Sequence, residues 1–314
     1  MANPLSSTQV IATSTTSPKS NTQGEKVTVC QFKLSDIPST MRKKGWTIAP
    51  KLMERGFSNP AWEISLDQKR DRYGTLDIQR TPEQIDTTTV TMAWLLQAQF
   101  QRARAVRDQF IYGVGAPGGI PLWRNQEALG FIAKRLLRDG KFTNTIEHFG
   151  KGLTAALLSH HCLLNERSAG SLTDPLDDLY GALGFFAMRV AGAGYIEPLK
   201  DSHGKVFKYR VHLEKVGLFV RDTYEFIGSQ GLGLWNFIDV QKGTGYLDPD
   251  VKIDQNCVVV DEKDAEKTAR KEAERYFDVE NADFQAYRTK FNKGGDFVIY
   301  SDVQWYDVTY SWDI

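Results

Sequence analysis

The chain has 314 residues, of which 41% are hydrophobic and 11% aromatic, enough apolar material for a sizeable core. Its 39 basic residues balance its 39 acidic residues, so the net charge of zero gives no reason to expect non-specific binding to nucleic acid or anionic membranes. Residues 244–314, however, hold 16 acidic and 9 basic residues, a net charge of −7. This last quarter is either a solvated acidic surface, the commoner case, or a docking surface for a basic partner.

The cysteine pattern and the N-terminal composition predict a cytoplasmic location. Cys30, Cys162 and Cys257 show no metal-ligand spacing, and their odd number argues against a disulfide framework. The first 25 residues contain ten Ser or Thr and no apolar run, so residues 1–26 are predicted to be a disordered leader without a signal peptide. The most apolar later stretch, residues 179–196, is interrupted by an arginine and by Gly and Ala residues, so no membrane span is expected.

Residues 27–200 predict an early strand followed mainly by helices. Alternating apolar residues favour the strand over 27–34, and a short helix is expected to contain Ile48 and Leu52 and to end at Asn59. A further strand is predicted over 75–79, and helices over 87–110, 126–138, 149–164 and 176–190. The loop over 112–123 formally matches GxGxxG, but it follows a helix and opens none, which indicates a structural loop and not a dinucleotide site.

The second part of the chain alternates apolar and polar residues with a period of two. Residues 205–242 predict an antiparallel meander of at least three strands. A charged helix follows over 264–275, a second helix over 281–291, and a strand over 297–303. The fold class is therefore α+β, with an N-terminal helical layer, then the meander, then further helices and a strand. We expect one domain over 27–314, with a mainly helical lobe (27–200) and a mainly β lobe (201–314) whose C-terminal part is acidic.

The most reactive residues of the sequence form the cluster His160, His161 and Cys162. Consecutive residues on a helix point in different directions, and no HExxH or GxSxG motif occurs. Cys162 lies among leucines, which predicts a small buried hydrophobic residue; the alternative is the nucleophile of a Cys-based hydrolase. His148, His203 and His212 are isolated in the sequence. We therefore expect no catalytic, cofactor or metal site.

Two sets of acidic residues have simple structural explanations. Asp174, Asp177 and Asp178 lie at the start of a predicted helix, where carboxylates favour the helix dipole. Asp248 and Asp250 flank a proline in a predicted turn, without the spacing of a calcium loop.

Aromatic residues alternate with aspartates in the last 13 residues, a composition typical of an interface anchor with a polar rim. The alternative is a last strand whose aromatic rings complete the core, and both descriptions can hold for opposite faces. Together with the acidic helix start, this gives the predicted partner-binding residues: Trp305, Tyr306, Asp307, Tyr310, Trp312, Asp261, Glu262 and Glu266.

Four segments of the sequence carry a resemblance to known proteins: residues 37–62, 86–96, 216–237 and 292–305. Together they resemble a bacterial family of unknown function whose genes accompany type VI secretion effectors. The resemblance implies a cytoplasmic immunity protein, without enzymatic turnover or cofactor, that binds and neutralises a cognate toxin, expected to be a nuclease. It implies no direct contact with nucleic acid or membrane. The alternatives are a secretion adaptor or chaperone, and an effector enzyme. Antidotes to nucleases are often acidic throughout, whereas this chain is acidic only after Thr244.

Overall fold

The computed structural model describes residues 25–71, 74–242 and 257–314. Its α-helices are α1 (Ile37–Lys43), α2 (Ala49–Ser58), α3 (Leu66–Lys69), α4 (Met92–Leu95), α5 (Gln101–Ile111), α6 (Gln126–Arg138), α7 (Ala155–His161), α8 (Asp178–Leu183), α9 (Glu262–Glu274) and α10 (Asn281–Phe291). Its strands are β1 (Lys26–Cys30), β2 (Ile85–Asp86), β3 (Glu147–Phe149), β4 (Leu163–Ala169), β5 (Phe186–Lys200), β6 (Val206–Tyr224), β7 (Gly231–Trp235), β8 (Val240–Gln241), β9 (Cys257–Asp261), β10 (Phe277–Glu280), β11 (Phe297–Tyr300) and β12 (Gln304–Asp313). The predicted α+β class is confirmed. None of the described helices is long and apolar enough to cross a membrane.

The chain divides into two compact units. The first consists of the described residues up to 50 together with those from 226 to 287, and the second of 51–225 and 288–314. The predicted lobe boundary near residue 200 falls at the end of β5, inside the second unit. The predicted leader lies outside the described residues, except for Glu25 and Lys26, and Lys26 already begins β1.

The second unit is built on a seven-stranded, largely antiparallel sheet. Its centre is the pair β5 and β6, which run antiparallel from Ala187 opposite Arg221 to Lys200 opposite Val206. On the far side of β6, β11 and β12 pair with successive parts of the strand, and β2 pairs with β11 in parallel. On the far side of β5, β4 pairs with the first part of the strand and β3 with its middle. Helices α5, α6 and α7 lie against β4 or β5.

Two of the predicted helices are only partly correct, because each is shorter than predicted and is followed by a strand. The helix predicted over 149–164 is reduced to α7 and gives way to β4, and the one over 176–190 is reduced to α8 and gives way to β5. Gly184 ends α8 with a φ of 54°. Because β5 is buried on both faces over most of its length, it lacks the alternation that marks a half-buried strand.

Three further predicted helices are confirmed, whereas three other predicted elements differ from the structure. The helices at 126–138 and 281–291 are confirmed residue for residue, and the charged helix is confirmed as α9. The predicted helix over 87–110 is interrupted between α4 and α5, and the strand predicted over 75–79 is wrong, because a 3-10 turn forms there. The meander predicted over 205–242 is also wrong in detail: β6 is one strand of 19 residues, and β7 and β8 belong to the first unit.

The first unit has a small core and two small sheets. Phe32 packs edge-on against Phe237 and stacked on Phe277, beside the three-stranded sheet β10-β7-β8. The other sheet pairs β1 with β9 and places Cys30 directly opposite Cys257, which are joined by a disulfide. The inference of no disulfide from an odd cysteine count is therefore wrong: two cysteines pair, and Cys162 alone is free.

A buried polar network crosses the core of the second unit. Asp77, whose side chain is fully buried, accepts hydrogen bonds from Arg221 Nε (2.7 Å), Arg80 Nε (2.8 Å) and the hydroxyl of Tyr300 (2.8 Å). Burial raises the pKa of Asp77, but the guanidinium of Arg221 and the other donors lower it more, so its pKa lies below the usual range. Burial of Tyr300 raises the pKa of its phenol to about 12. The network links the 3-10 turn at residues 77–79 to β6 and β11.

Candidate functional site

The five C-terminal residues predicted to bind a partner lie on one strand, β12. This strand pairs with β6 along one edge, and no strand in the described part of the chain pairs with its other edge. The four aromatic side chains are half-buried, and Asp307 is exposed. Strand β12 therefore presents a free backbone edge next to a row of aromatic residues.

The aromatic rings of β12 also pack on their own unit. The ring of Tyr310 meets Trp123 edge-on at 5.6 Å and stacks on Trp312 at 6.1 Å. Trp305 lies opposite Gly217 of β6, where the missing side chain leaves room for the indole. The rings thus complete the packing of the sheet and remain partly accessible, as the two sequence-based descriptions together predict.

The hydrogen bonds at the end of β12 show which backbone groups face outward. Tyr209 and Ile314 exchange both backbone hydrogen bonds, at 3.1 and 2.9 Å. Hydrogen-bonded and non-hydrogen-bonded pairs alternate along antiparallel strands, so the N–H and C=O groups of Ser311 and Asp313 point away from β6. These groups are available to a further strand.

The three acidic residues of the predicted interface lie on the first unit, around the start of α9. Asp261 is 2.6 Å from the ammonium group of Lys26, whose hydrogen bond holds the pKa of this carboxyl below its usual range. Glu262 and Glu266 are exposed on α9. The predicted partner-binding residues therefore form two separate sets, five on β12 in the second unit and three around the start of α9 in the first.

A cavity of 520 Å³ lies in the second unit at the ends of α6 and α7. Its lining residues are Leu136, Asp139, Lys141, His148, Phe149, Gly150, Lys151, Leu153, His161 and Cys162. Asp139 follows the last residue of α6, and His161 is the last residue of α7. The two helix ends are joined by Arg138, whose Nη2 donates to the carbonyl of His160 at 2.9 Å.

Asp139 and His161 form a hydrogen-bonded pair in this cavity. The Nδ1 atom of His161 is 2.8 Å from Oδ2 of Asp139, and Nε of Arg138 donates to Oδ1 at 2.8 Å. Partial burial raises the pKa of Asp139, but the hydrogen bonds from Arg138 and His161 lower it more, so this carboxyl stays ionised. Sequence reasoning missed the pair, because no motif connects residues 22 positions apart.

Cys162 lines the same cavity but is 1% exposed, in agreement with the predicted buried hydrophobic residue. Burial raises the pKa of its thiol to about 12, so the thiol is protonated at neutral pH. The backbone N–H of Gly150 donates to the sulfur, whereas the Nδ1 atom of His161 faces Asp139. Gly150 has a φ of 78°, and a Cβ there would lie 2.2 Å from the carbonyl oxygen of Gly192, so only glycine fits.

Two histidines that are isolated in the sequence, His148 and His212, lie on either side of Tyr195 in the sheet. His148 lies opposite Tyr195, and Tyr195 opposite His212. The rings of Tyr195 and His212 stack at 4.4 Å, and His212 Nε2 is 3.0 Å from Glu197. The strand register, which a single sequence does not reveal, creates this row.

Asp177 and Asp178 lie at the start of α8, as predicted, whereas Asp174 lies before the helix and accepts the N–H of Ser171 at 2.8 Å. Asp177 caps α8 by accepting the N–H of Tyr180 at 2.8 Å, and it pairs with Arg102. Asp248 and Asp250 lie outside the described residues. Within the described ranges, no group of three or more His, Cys, Asp or Glu side chains is placed to hold a metal ion.

Comparison with known proteins yields one family match. A model described as a family of unknown function (DUF6402) matches residues 32–314, nearly the whole chain. No curated protein matches the chain. No solved structure matches it either.

Proposed function

The chain belongs to the DUF6402 family of unknown function, and we propose that it is a binding protein that neutralises a toxin. In this proposal the toxin is a type VI secretion effector with nuclease activity, and the chain resembles TsiT, the immunity protein paired with the nuclease effector TseT. The protein acts by occupying its partner, in the cytoplasm, without turnover, cofactor, membrane or direct contact with nucleic acid.

The observation that carries the proposal is the free edge of β12. An extended segment of a partner can add to such an edge, because the outward N–H and C=O groups of Ser311 and Asp313 supply main-chain hydrogen bonds. The partly accessible rings of Trp305, Tyr310 and Trp312 supply the aromatic contacts that dominate binding energies at interfaces. Soluble proteins usually protect the edges of their sheets, so an edge that no described strand pairs with fits a partner-binding role.

The acidic set on α9 supports a second, electrostatic contribution. A nuclease needs a basic surface to hold phosphates, and exposed carboxylates such as Glu262 and Glu266 complement it. Charges at the rim of an interface act mainly on the association rate and make that rate depend on salt. In the proposal α9 therefore steers the toxin, whereas β12 holds it.

The alternative of a Cys-based hydrolase lacks support from the cavity geometry. A nucleophilic cysteine needs a lowered pKa, whereas burial raises the pKa of Cys162 to about 12 and keeps its thiol protonated at neutral pH. The secretion adaptor remains the second candidate, since it would use the same free edge for a different part of the effector.

The cytoplasmic location loses one of its two arguments. The cysteine count no longer indicates free thiols, because Cys30 and Cys257 form a disulfide, and disulfides persist mainly in oxidising compartments. The location is proposed on the resemblance alone.

The test is rescue by co-expression. A toxin encoded beside the gene of this chain is induced in bacteria with the full chain, with Ser311→Pro or with Ser311→Ala. Proline removes the outward N–H without removing a hydrogen bond to β6, so Ser311→Pro is expected to lose rescue and the co-purifying complex, whereas Ser311→Ala keeps both.

Three results would contradict parts of the proposal. Failure of the native chain to rescue, or growth arrest when the chain is expressed alone, would overturn the immunity function. Rescue by Ser311→Pro equal to that of the native chain would overturn docking on β12. A complex that forms only with the delivery domain of the effector, and not with its toxic domain, would establish the adaptor function instead.

The role of α9 is tested by charge reversal. The double variant Glu262→Lys and Glu266→Lys should slow association with the toxin roughly tenfold at low salt, and Glu127→Lys, on α6 of the other unit, serves as the control. Stopped-flow or surface-plasmon measurements at several salt concentrations give the association rates. Equal association rates for the double variant and the control would show that α9 takes no part in steering the toxin.

A further inference from the structure

We propose that the cavity around His161 binds a small phosphate-bearing ligand of nucleotide size. The cavity volume of 520 Å³ lies within the range typical of small-molecule sites. All of its lining residues belong to the second unit, between the end of α6 and the start of β4. The inference is independent of toxin binding and uses none of the residues of β12 or α9.

The charges at the cavity favour an anion. Lys141, Lys151, His148 and His161 line it, together with one carboxylate, Asp139. That carboxylate already accepts hydrogen bonds from Arg138 and His161, so its charge is compensated. Lys151 is exposed and makes no hydrogen bond or ion pair with any described residue. Lys141 approaches a carboxylate, that of Glu147, only at 3.7 Å.

The geometry of His161 makes it a positioned donor. Asp139 accepts from Nδ1–H and fixes the orientation of the ring, and the ring of His160 packs edge-on at 4.6 Å. No described residue forms a hydrogen bond with Nε2, so this atom is left to meet a ligand in the cavity that His161 lines. When both ring nitrogens carry a proton, Nε2–H is a donor, and a phosphate oxygen is a strong acceptor for such a charge-assisted bond.

The apolar part of the cavity wall indicates the chemistry of the rest of the ligand. Leu136, Phe149 and Leu153 supply an apolar surface beside the basic groups. Sites for small molecules combine such a surface with a few convergent polar groups. Several basic donors fit the two charges of a phosphate monoester better than the single charge of a carboxylate, and the apolar wall fits a base or another apolar substituent.

Calorimetric titration of the full chain tests the ligand class with three probes: AMP, inorganic phosphate and adenosine. We expect saturable one-to-one binding of AMP, weaker binding of phosphate, and binding of adenosine at least tenfold weaker than that of AMP. Binding of AMP should weaken as salt is raised. Absence of saturable binding by both AMP and phosphate, or equal binding of AMP and adenosine, would overturn the proposal.

Variants locate the site. Lys151→Ala and His161→Gln are each expected to weaken AMP binding about tenfold, whereas Lys134→Ala, an exposed lysine of α6 outside the cavity lining, leaves it unchanged. Circular dichroism shows whether each variant is folded, and Lys151→Ala changes only an exposed side chain. In addition, AMP should shift the side-chain nitrogen resonances of His161 in NMR spectra. AMP binding that is unaltered by Lys151→Ala and leaves these resonances in place would overturn the assignment to this cavity.

Discussion

At the scale of single residues, the buried charges of the second unit are the features with the largest expected effects. Asp77 is the shared acceptor of Arg221, Arg80 and Tyr300. The change Asp77→Asn removes the negative charge and leaves the guanidinium of Arg221, 6% exposed, without its counter-ion. Because an unpaired buried charge is costly, we expect a loss of about 3–5 kcal/mol in the free energy of unfolding, measured by urea denaturation.

Two matched variants separate the charge from the hydrogen bonds around it. Tyr300→Phe removes one donor to Asp77 and should cost only about 1 kcal/mol. Asp67→Asn, at an exposed aspartate of α3, should change stability by less than about 0.5 kcal/mol. A similar, small loss for all three variants would show that the Asp77 network does not hold the turn against the sheet.

The raised pKa of Asp296 predicts a pH dependence of stability that is opposite in sign to the one expected from the lowered pKa of Asp77. Burial raises the pKa of Asp296 to about 6, although the N–H of Ile64 and the guanidinium of Arg288 favour its charged form. The folded protein then binds a proton more tightly than the unfolded chain, in which the pKa of Asp is about 3.9. The stability contributed by this proton is complete below about pH 4 and is lost as the pH rises through 6.

The variant Asp296→Asn should therefore lack this part of the pH profile. We expect its free energy of unfolding to vary less between pH 4 and 7 than that of the native chain, the difference being on the order of 2–3 kcal/mol. Chemical denaturation at a series of pH values measures both profiles. Parallel profiles would show that Arg288 keeps Asp296 ionised in the folded protein.

At the scale of elements, the close approach of β6 and the C-terminal segment depends on a glycine. A Cβ on Gly217 would lie 2.6 Å from Val303 and 3.0 Å from the ring of Trp305. Gly217→Ala should therefore cost about 1–3 kcal/mol by overpacking. Gly130→Ala on α6 has no atom within 4 Å of the new Cβ and should stabilise by about 0.5–1 kcal/mol. Thermal unfolding compares the two, and equal effects would contradict tight packing under β12.

Elements that depend on neighbouring residues in the sequence could be predicted, whereas elements that depend on pairing with a distant strand could not. Helix α6 begins at its cap, Asn125, which accepts the N–H of Ala128, and its sequence carries both ends of the helix. Strand β5 contains small residues and an apolar run that also suit a helix, and only its pairing with β6 makes it a strand. The free edge of β12 likewise follows from sheet order, whereas its aromatic composition was visible in the sequence.

The cavity likewise depends on contacts between residues that are far apart in the sequence. His161 and Cys162 were identifiable as reactive residue types, but their surroundings were not. Asp139 reaches His161 because α6 and α7 end beside each other, and Gly150 reaches Cys162 because the loop after β3 lies against β5. These tertiary contacts fix the orientation of the histidine ring and keep the thiol protonated.

At the scale of the whole molecule, the disulfide ties together parts of the chain that are far apart in sequence. Cys30 and Cys257 are separated by 227 residues, and they join β1 to β9 in a sheet of only two strands. Two-stranded sheets are marginally stable alone, so the bond should contribute much of the stability of this sheet. Closing so long a loop in the unfolded chain is worth about 5.5 kcal/mol in the chain-entropy model.

The thiol count provides a direct check. Alkylation of the denatured chain without reductant should modify one cysteine, Cys162, and after reduction all three, as read from the intact mass. The double variant Cys30→Ser and Cys257→Ser should be less stable to urea than the native chain. The control is Cys162→Ala, which removes a cysteine that forms no disulfide. The same alkylation on acid-quenched cells shows whether the bond exists where the protein acts. Three reactive thiols in both the purified and the cellular protein would contradict the disulfide and restore the argument for a reducing compartment.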